Sequence, residues 1–264
     1  MKDSKDFYVG YSEEIAPATK SFLKKRLIGL FILIPILVGL LVFFQNSFNN
    51  HIFDFGNESK ITGTLYTTPF PVLISDELVK SGDSESNSIL IVGYGKFGAM
   101  SAIDKMEKLN GKLHGKNVTI AGTLISGDGK ILMELTGEEK SLISVNQSSQ
   151  NLKAESASSQ AIELSGEVLD PKCYFGVMKP AEGKVHKSCA IRCTSGGIPP
   201  VFRDEANYPE KSRYFIIQDQ NGNTVNKEIL PYVGEKVKLK GQISSFSEWE
   251  ILKLDLNSIT YLNN

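Results

Sequence analysis

Residues 27–44 read LIGLFILIPILVGLLVFF, eighteen uncharged residues directly preceded by Lys24, Lys25 and Arg26. A run this long and apolar predicts a transmembrane helix, which we place at residues 27–48. At about 1.5 Å per residue, eighteen residues rise about 27 Å, close to a hydrocarbon core of about 30 Å. Pro35 is compatible with that reading, because membrane helices tolerate proline where the freed backbone groups find partners. A cleaved signal peptide fits less well: 26 residues precede the run and no A-x-A site follows it.

Charges around the run set its orientation. Lys20, Lys24, Lys25 and Arg26 precede it, whereas Asp54 and Glu58 follow with only Lys60 among them. The positive-inside rule makes residues 1–26 a cytoplasmic tail and puts the remainder outside the cytoplasm, in a periplasm if the cell has two membranes. The chain reads as a single-pass protein with the membrane as its first partner. Lys plus Arg number 29 against 30 Asp plus Glu, a balance that excludes binding nucleic acid through its phosphates.

Beyond the anchor, residues 146–160 (NQSSQNLKAESASSQ) carry no apolar periodicity and read as a linker. It separates a first domain, 59–145, from a second, 161–264. The two share a pattern. GKNVTIAGTLISGDGKILMEL (115–135) and GEKVKLKGQISSFSEWEILKL (234–254) both run G-x-x-V-x-(I/L)-x-G-x-(L/I), a polar turn, then a second strand. Earlier strands are predicted at 61–65 and 89–92 in the first half and at 164–168 and 214–217 in the second. Short alternating strands with glycines at kinks predict a mainly β chain with two small OB-like antiparallel barrels. Val237, Leu239 and Ile243 are expected to face inward, with Gly241 at a bend or bulge.

The segment ILIVGYGKFGA (89–99) contains Gly93, Gly95 and Gly98 in the G-x-G-x-x-G spacing of dinucleotide-binding folds. No acidic residue ends the next strand and no further βαβ unit follows, so the glycines read as a turn from a barrel strand into a short helix.

All three cysteines, Cys173, Cys189 and Cys193, fall within 21 residues, together with His186. If 184–193 is helical, His186, Cys189 and Cys193 stand at i, i+3 and i+7 on one face, and the helix ends at Gly196 and Gly197. The second barrel is thus expected to carry an inserted Cys/His helix-loop. Three chemistries suit it. Cys173, His186, Cys189 and Cys193 are candidate ligands for copper, zinc or iron, with Met178 a thioether available to copper(I). A disulfide from Cys173 to one of the other cysteines suits an oxidising compartment. A thiol near Lys187 and Arg192 suits redox chemistry.

The stretch 166–200, with G-E-V-x-D-x-K-C-Y, H-x-x-C-A-x-x-C and G-G-x-P-P, resembles a group of uncharacterised bacterial membrane-anchored or exported proteins; the G-K-F-G and G-T-L-I segments resemble it more loosely. The resemblance marks the segment as one unit and implies no activity. A single-pass periplasmic OB barrel is also similar in architecture to the haem chaperone of cytochrome c maturation, whose histidine motif has no match here.

No G-x-S-x-G, H-E-x-x-H, P-loop or C-x-x-C-H motif is present, and the chain reads as a non-enzyme. His51 and His114 read as solvated. Asp170 and Lys172 read as an exposed turn, or as groups orienting Cys173; Tyr174, Phe175 and Trp249 read as packed residues. The expected function is a membrane-tethered accessory or assembly factor for a redox or metal system, working with an envelope protein partner. The alternative is a structural subunit stapled by a disulfide.

Overall fold

A computed structural model describes residues 17–45, 51–149, 157–206 and 212–262. The chain divides into a unit up to Asn49 and a unit Asn50–Asn264.

In the first unit, helix α1 (Pro17–Gln45) starts ahead of the expected residue 27, with Pro17 at its first position, where a missing N–H costs nothing. Residues 46–48 of the expected span lie outside the described residues. The helix contains a window of mean hydropathy 3.1 with none of it buried, which makes it long and apolar enough to cross a membrane. Phe31 and Phe43 are both more than 70% exposed, 76% and 72%, so apolar surface faces outward along the run.

The second unit is mainly β. Its first half contains β1 (Ile52–Phe53), β2 (Ser59–Tyr66), β3 (Val72–Ser81), β4 (Ser84–Val92), helix α2 (Met100–Asn110), β5 (Lys116–Gly127), β6 (Lys130–Glu134) and β7 (Leu142–Ser149). Its second half contains β8 (Ala157–Leu169), helix α3 (Gly183–Ser195), β9 (Val201–Asp204), β10 (Arg213–Asp219), β11 (Lys236–Phe246), β12 (Trp249–Leu254) and β13 (Thr260–Tyr261). In the first half β5, β2, β3, β4 and β6 pair in that order, and β6 returns to β5. In the second half β8, β9, β10, β12 and β11 do the same, with β11 returning to β8. Both are closed five-stranded barrels, in which every ring strand has a neighbour on each side; β7 pairs with β5 outside the ring.

The barrels are not purely antiparallel as expected: β4 runs parallel to β6, and β10 parallel to β12. The chain makes the required crossover through α2 and β5 in one barrel and through β11 in the other. The strands expected at 61–65, 89–92, 164–168 and 214–217 fall within β2, β4, β8 and β10. The shared 21-residue patterns are the β5–β6 and β11–β12 hairpins. Asp128 and Gly129 close the first hairpin with φ of 49° and 75°, the positive values of a tight two-residue turn. Val237 and Leu239 are fully buried and Ile243 partly so; β11 shifts register between Gln242 and Ser244, just after Gly241.

The stretch read as a linker is partly strand: β7 runs to Ser149 and β8 begins at Ala157, while residues 150–156 lie outside the described residues. Polar residues there still pair, because a strand needs only ladder hydrogen bonds on one side. Each barrel holds its own apolar cluster, and a third cluster joins them: Tyr66, Phe70, Leu90 and Ile125 pack with Tyr174, Phe175, Tyr214 and Trp249. Across this seam Trp249 Nε1 donates to Ser88 O (3.3 Å), Gln218 Nε2 to Pro69 O (2.8 Å) and Lys130 Nζ to Glu248 O (2.7 Å).

Candidate metal and thiol centre

The site is built where β8 ends. Asp170 caps the next turn, its Oδ1 accepting from Lys172 N (3.0 Å) and its carbonyl from Tyr174 N (3.0 Å). A single wide helical turn, Cys173–Val177, follows, and Cys173, Tyr174 and Phe175 are buried in it. Gly176 lets this turn approach β1: a Cβ there would overlap the Ile52 carbonyl.

Helix α3 closes over that turn. Gly183 N, at its start, donates to Glu167 Oε1 (2.5 Å), so a carboxylate meets the positive end of the helix. Arg203 on β9 is buried and bonds Tyr174 OH (3.1 Å), Glu182, Glu167 and Glu205, tying the turn to the beginning of α3. At the other end Asn226 Nδ2 donates to Thr194 O in the last turn of the helix (2.7 Å) and to Ile198 O just beyond it (2.8 Å).

On this frame Cys173, His186 and Cys189 each bring one ligand atom within 4.8 Å of the others, and so do Asp170, Cys173 and Cys193. Cys173 belongs to both sets. The i, i+3, i+7 spacing does place His186, Cys189 and Cys193 over Cys173. Cys173 Sγ and Cys189 Sγ stand 4.0 Å apart, and all three cysteines are free. The anticipated disulfide is therefore absent among them; an S–S bond is about 2.05 Å long. Met178 is exposed, 43% of its surface open.

Electrostatics favour the neutral forms of His186 and Cys173. Burial holds the His186 imidazole below its usual value; Lys96 pushes the same way and Asp170 opposes. The neutral ring is the form that binds a metal, and its Nε2 is buried without a hydrogen-bond partner. Cys173 is pushed far above the usual thiol range by hydrogen bonding with Cys193, then by burial and by the Asp170 charge. A coordinated metal would oppose this rise, because the bound sulfur is a thiolate. Asp170 Oδ2 is likewise buried without a hydrogen-bond partner.

The first barrel completes the centre with residues that sequence reasoning missed. Lys96 Nζ lies 2.8 Å from Cys189 Sγ, and this bond raises the lysine above its ordinary value despite the opposing effect of burial. The loop carrying Lys96 is the glycine-rich GYGKFG, and its glycines have a job unrelated to phosphate. Gly98 N donates to Gly196 O (2.9 Å), and a Cβ on Gly98 or Gly196 would overlap Gly197 O or Lys96 O. The loop and the end of α3 thus meet backbone to backbone.

Lys172 secures the loop from below. Its Nζ donates to Gly93 O (2.8 Å), Gly95 O (2.6 Å) and Glu134 Oε1 (2.6 Å), and Gly95 N donates to the same carboxylate oxygen (2.9 Å). Asp170 and Lys172, read as an exposed turn, are 0% and 2% exposed. They are buried because the first barrel covers them, a contact 38 residues away for Glu134 and 79 for Gly93. His51 is corrected in the same way: it is buried, its ring nitrogens lying 2.7 Å from Tyr174 O and 2.9 Å from Asp128 Oδ1. His114 stays exposed and accepts from Thr67 N (3.2 Å). Trp249 is fully buried.

Compared with known proteins, the chain matches no family model, no curated protein and no solved structure.

Proposed function

We propose that this chain is a membrane-tethered accessory or assembly factor that holds a soft metal ion on the outer face of a membrane. α1 is the single-pass anchor, with the N-terminus cytoplasmic by the positive-inside rule and the barrel unit extracytoplasmic. The barrels are of OB type: five strands in the cyclic order 1-2-3-5-4, with strand 3 parallel to strand 5, support that reading. α3 is then an insertion between the first two strands of the second barrel, and the barrel surfaces are where a membrane or envelope protein docks.

One observation carries the metal reading: Cys173, His186 and Cys189 converge with their ligand atoms within 4.8 Å. Two thiolates on one tetrahedral ion, each at about 2.3 Å, stand about 3.8 Å apart. The 4.0 Å between Cys173 and Cys189 is close to that spacing. Two sulfurs and a neutral imidazole suit zinc or copper(I), and iron less well. Cys193 and Asp170, which share Cys173, supply a fourth ligand or hydrogen bonds to the coordinating sulfur.

The test is titration of the full reduced chain in detergent with cobalt(II), as a spectroscopic stand-in for zinc, and with copper(I) against a chromophoric chelator. One ion per chain, with thiolate-to-cobalt charge-transfer absorption that vanishes in Cys173→Ser and Cys189→Ser, supports the reading. Absence of that absorption together with no retained copper(I) overturns it.

A further inference from the structure

We propose that Cys189 and Cys173 form an exchangeable dithiol, Cys189 attacking a disulfide of a partner or small molecule and Cys173 then resolving the mixed disulfide. This goes beyond metal binding and does not rest on it, since the reactant is the metal-free reduced chain.

The three sulfurs differ in access. Cys173 and Cys193 are 4% and 1% exposed, whereas Cys189 is only partly buried. A bulky disulfide reaches Cys189 first. Cys173 Sγ is the sulfur behind it, 4.0 Å away, and closing to a bond length of about 2 Å needs a shift of about 2 Å shared between a single helical turn and α3. The turn ends at Met178, whose backbone is extended and whose N–H donates to Cys173 O (3.1 Å). Lys96, 2.8 Å from Cys189 Sγ, is itself exposed, and Tyr94 and Phe97 in the same loop are 63% and 65% exposed.

The chemistry balances without a further reagent. Cys189 Sγ gives its proton to solvent and attacks one sulfur of R–S–S–R; that S–S bond breaks and RS⁻ leaves, taking up a proton as RSH. Cys173 Sγ then loses its proton and attacks Cys189 Sγ, expelling the second RSH. The two cysteines are oxidised by two electrons in total and the external disulfide is reduced by two. If the metal reading also holds, the closed form lacks two of the site's sulfurs, and oxidation releases the ion.

The experiment uses the full chain in detergent, reduced and stripped of metal with chelator, and an aromatic disulfide that releases a coloured thiol. In Cys193→Ser we expect two coloured thiols per chain and a Cys173–Cys189 cross-link on peptide mapping. In Cys173→Ser/Cys193→Ser we expect one rapid equivalent and a stable mixed disulfide. In Cys189→Ser/Cys193→Ser the remaining buried thiol should react about tenfold more slowly or worse, because it waits for local opening. Peptide mapping of the unmodified chain guards against a variant that fails to fold. A Cys189–Cys193 or Cys173–Cys193 cross-link there, a mixed disulfide that persists in Cys193→Ser, or equal reactivity of Cys173 alone would overturn the proposal. Loss of cobalt binding with exchange intact would instead remove the metal reading only.

Discussion

The two barrels share a strand order but spend their helices differently. In the first, α2 lies between the third and fourth barrel strands, and its buried Ala102, Ile103 and Met106 join that barrel's own apolar cluster. In the second, α3 lies between the first and second strands and buries His186, Cys193 and Thr194 as well as Ala190. One helix packs apolar side chains into its barrel's cluster; the other brings His186 and Cys189 against a turn of its own barrel and Cys189 against Lys96 of its neighbour. The same framework thus carries one helix whose buried face is apolar and one whose buried face is partly polar, and the two lie in different connections. The Cys/His cluster lies where α3 of one barrel meets the glycine-rich loop of the other.

That comparison breaks first at Lys172. Its ammonium and the Glu134 carboxylate are 3% and 7% exposed, and the pair joins the second barrel's cysteine turn to the first barrel's loop. Removing one member of a buried pair strands the other, which costs about 3–5 kcal/mol. Lys172→Met should lower urea stability by that amount. A loss under about 1 kcal/mol would mean that the apolar packing and the other hydrogen bonds across the seam join the barrels without this pair.

Met106 tests the other half. It is fully buried in α2, and Met106→Ala should cost about 2–5 kcal/mol through the cavity it leaves. Cobalt binding measured well below the unfolding transition should be unchanged. His186→Ala should abolish cobalt binding even when it is measured well below that variant's own unfolding transition, which loss of the buried ring also lowers. If Met106→Ala also weakens cobalt binding, α2 does more than pack its barrel's cluster.

The sequence exposes these elements unevenly. Local periodicity is enough for the apolar helix, for the β5–β6 and β11–β12 hairpins, and for the face shared by His186, Cys189 and Cys193, because each depends on residues a few positions apart. Asp170, Lys172 and His51 are polar residues beside turns, and nothing near them in the chain says that a second barrel will bury them. Lys96 is separated from Cys189 by 93 residues, so no spacing rule links them. The glycines of GYGKFG signal close backbone approach, as they do in nucleotide folds, but the approaching group is the end of α3. A glycine pattern reports that something comes close; only the tertiary structure says what.

Gly98 tests that closeness directly. Gly98→Ala would press a methyl group onto the Gly197 carbonyl, a backbone atom that cannot rotate aside. The overlap should cost about 1–3 kcal/mol. Gly95→Ala provides the contrast: its Cβ meets nothing within 4 Å, and only the positive φ of 64° resists it, worth about 1 kcal/mol. Gly98→Ala should also slow the reaction of Cys189 with the aromatic disulfide by moving the loop, whereas Gly95→Ala should do so less. Equal effects on both readouts would mean that backbone strain, not contact between the barrels, is what these glycines relieve.

The smallest effect on stability and the sharpest on chemistry should come from Lys96→Met. Lys96 is a surface residue, so its contact with Cys189 is screened by solvent and its loss should change stability by less than about 0.5 kcal/mol. Its ammonium nevertheless lies 2.8 Å from the sulfur, where a positive charge stabilises the negative charge that the attacking sulfur carries. Alkylation of Cys189 by a neutral reagent such as iodoacetamide should therefore slow in Lys96→Met and recover in Lys96→Arg, with unfolding curves superimposed. Raising the salt concentration should narrow the gap between the unsubstituted chain and the Lys96→Met variant, because the interaction is partly solvent-exposed. An unchanged alkylation rate would reduce the first barrel's loop to a packing element, and the division of labour between the barrels would then lie wholly within the second.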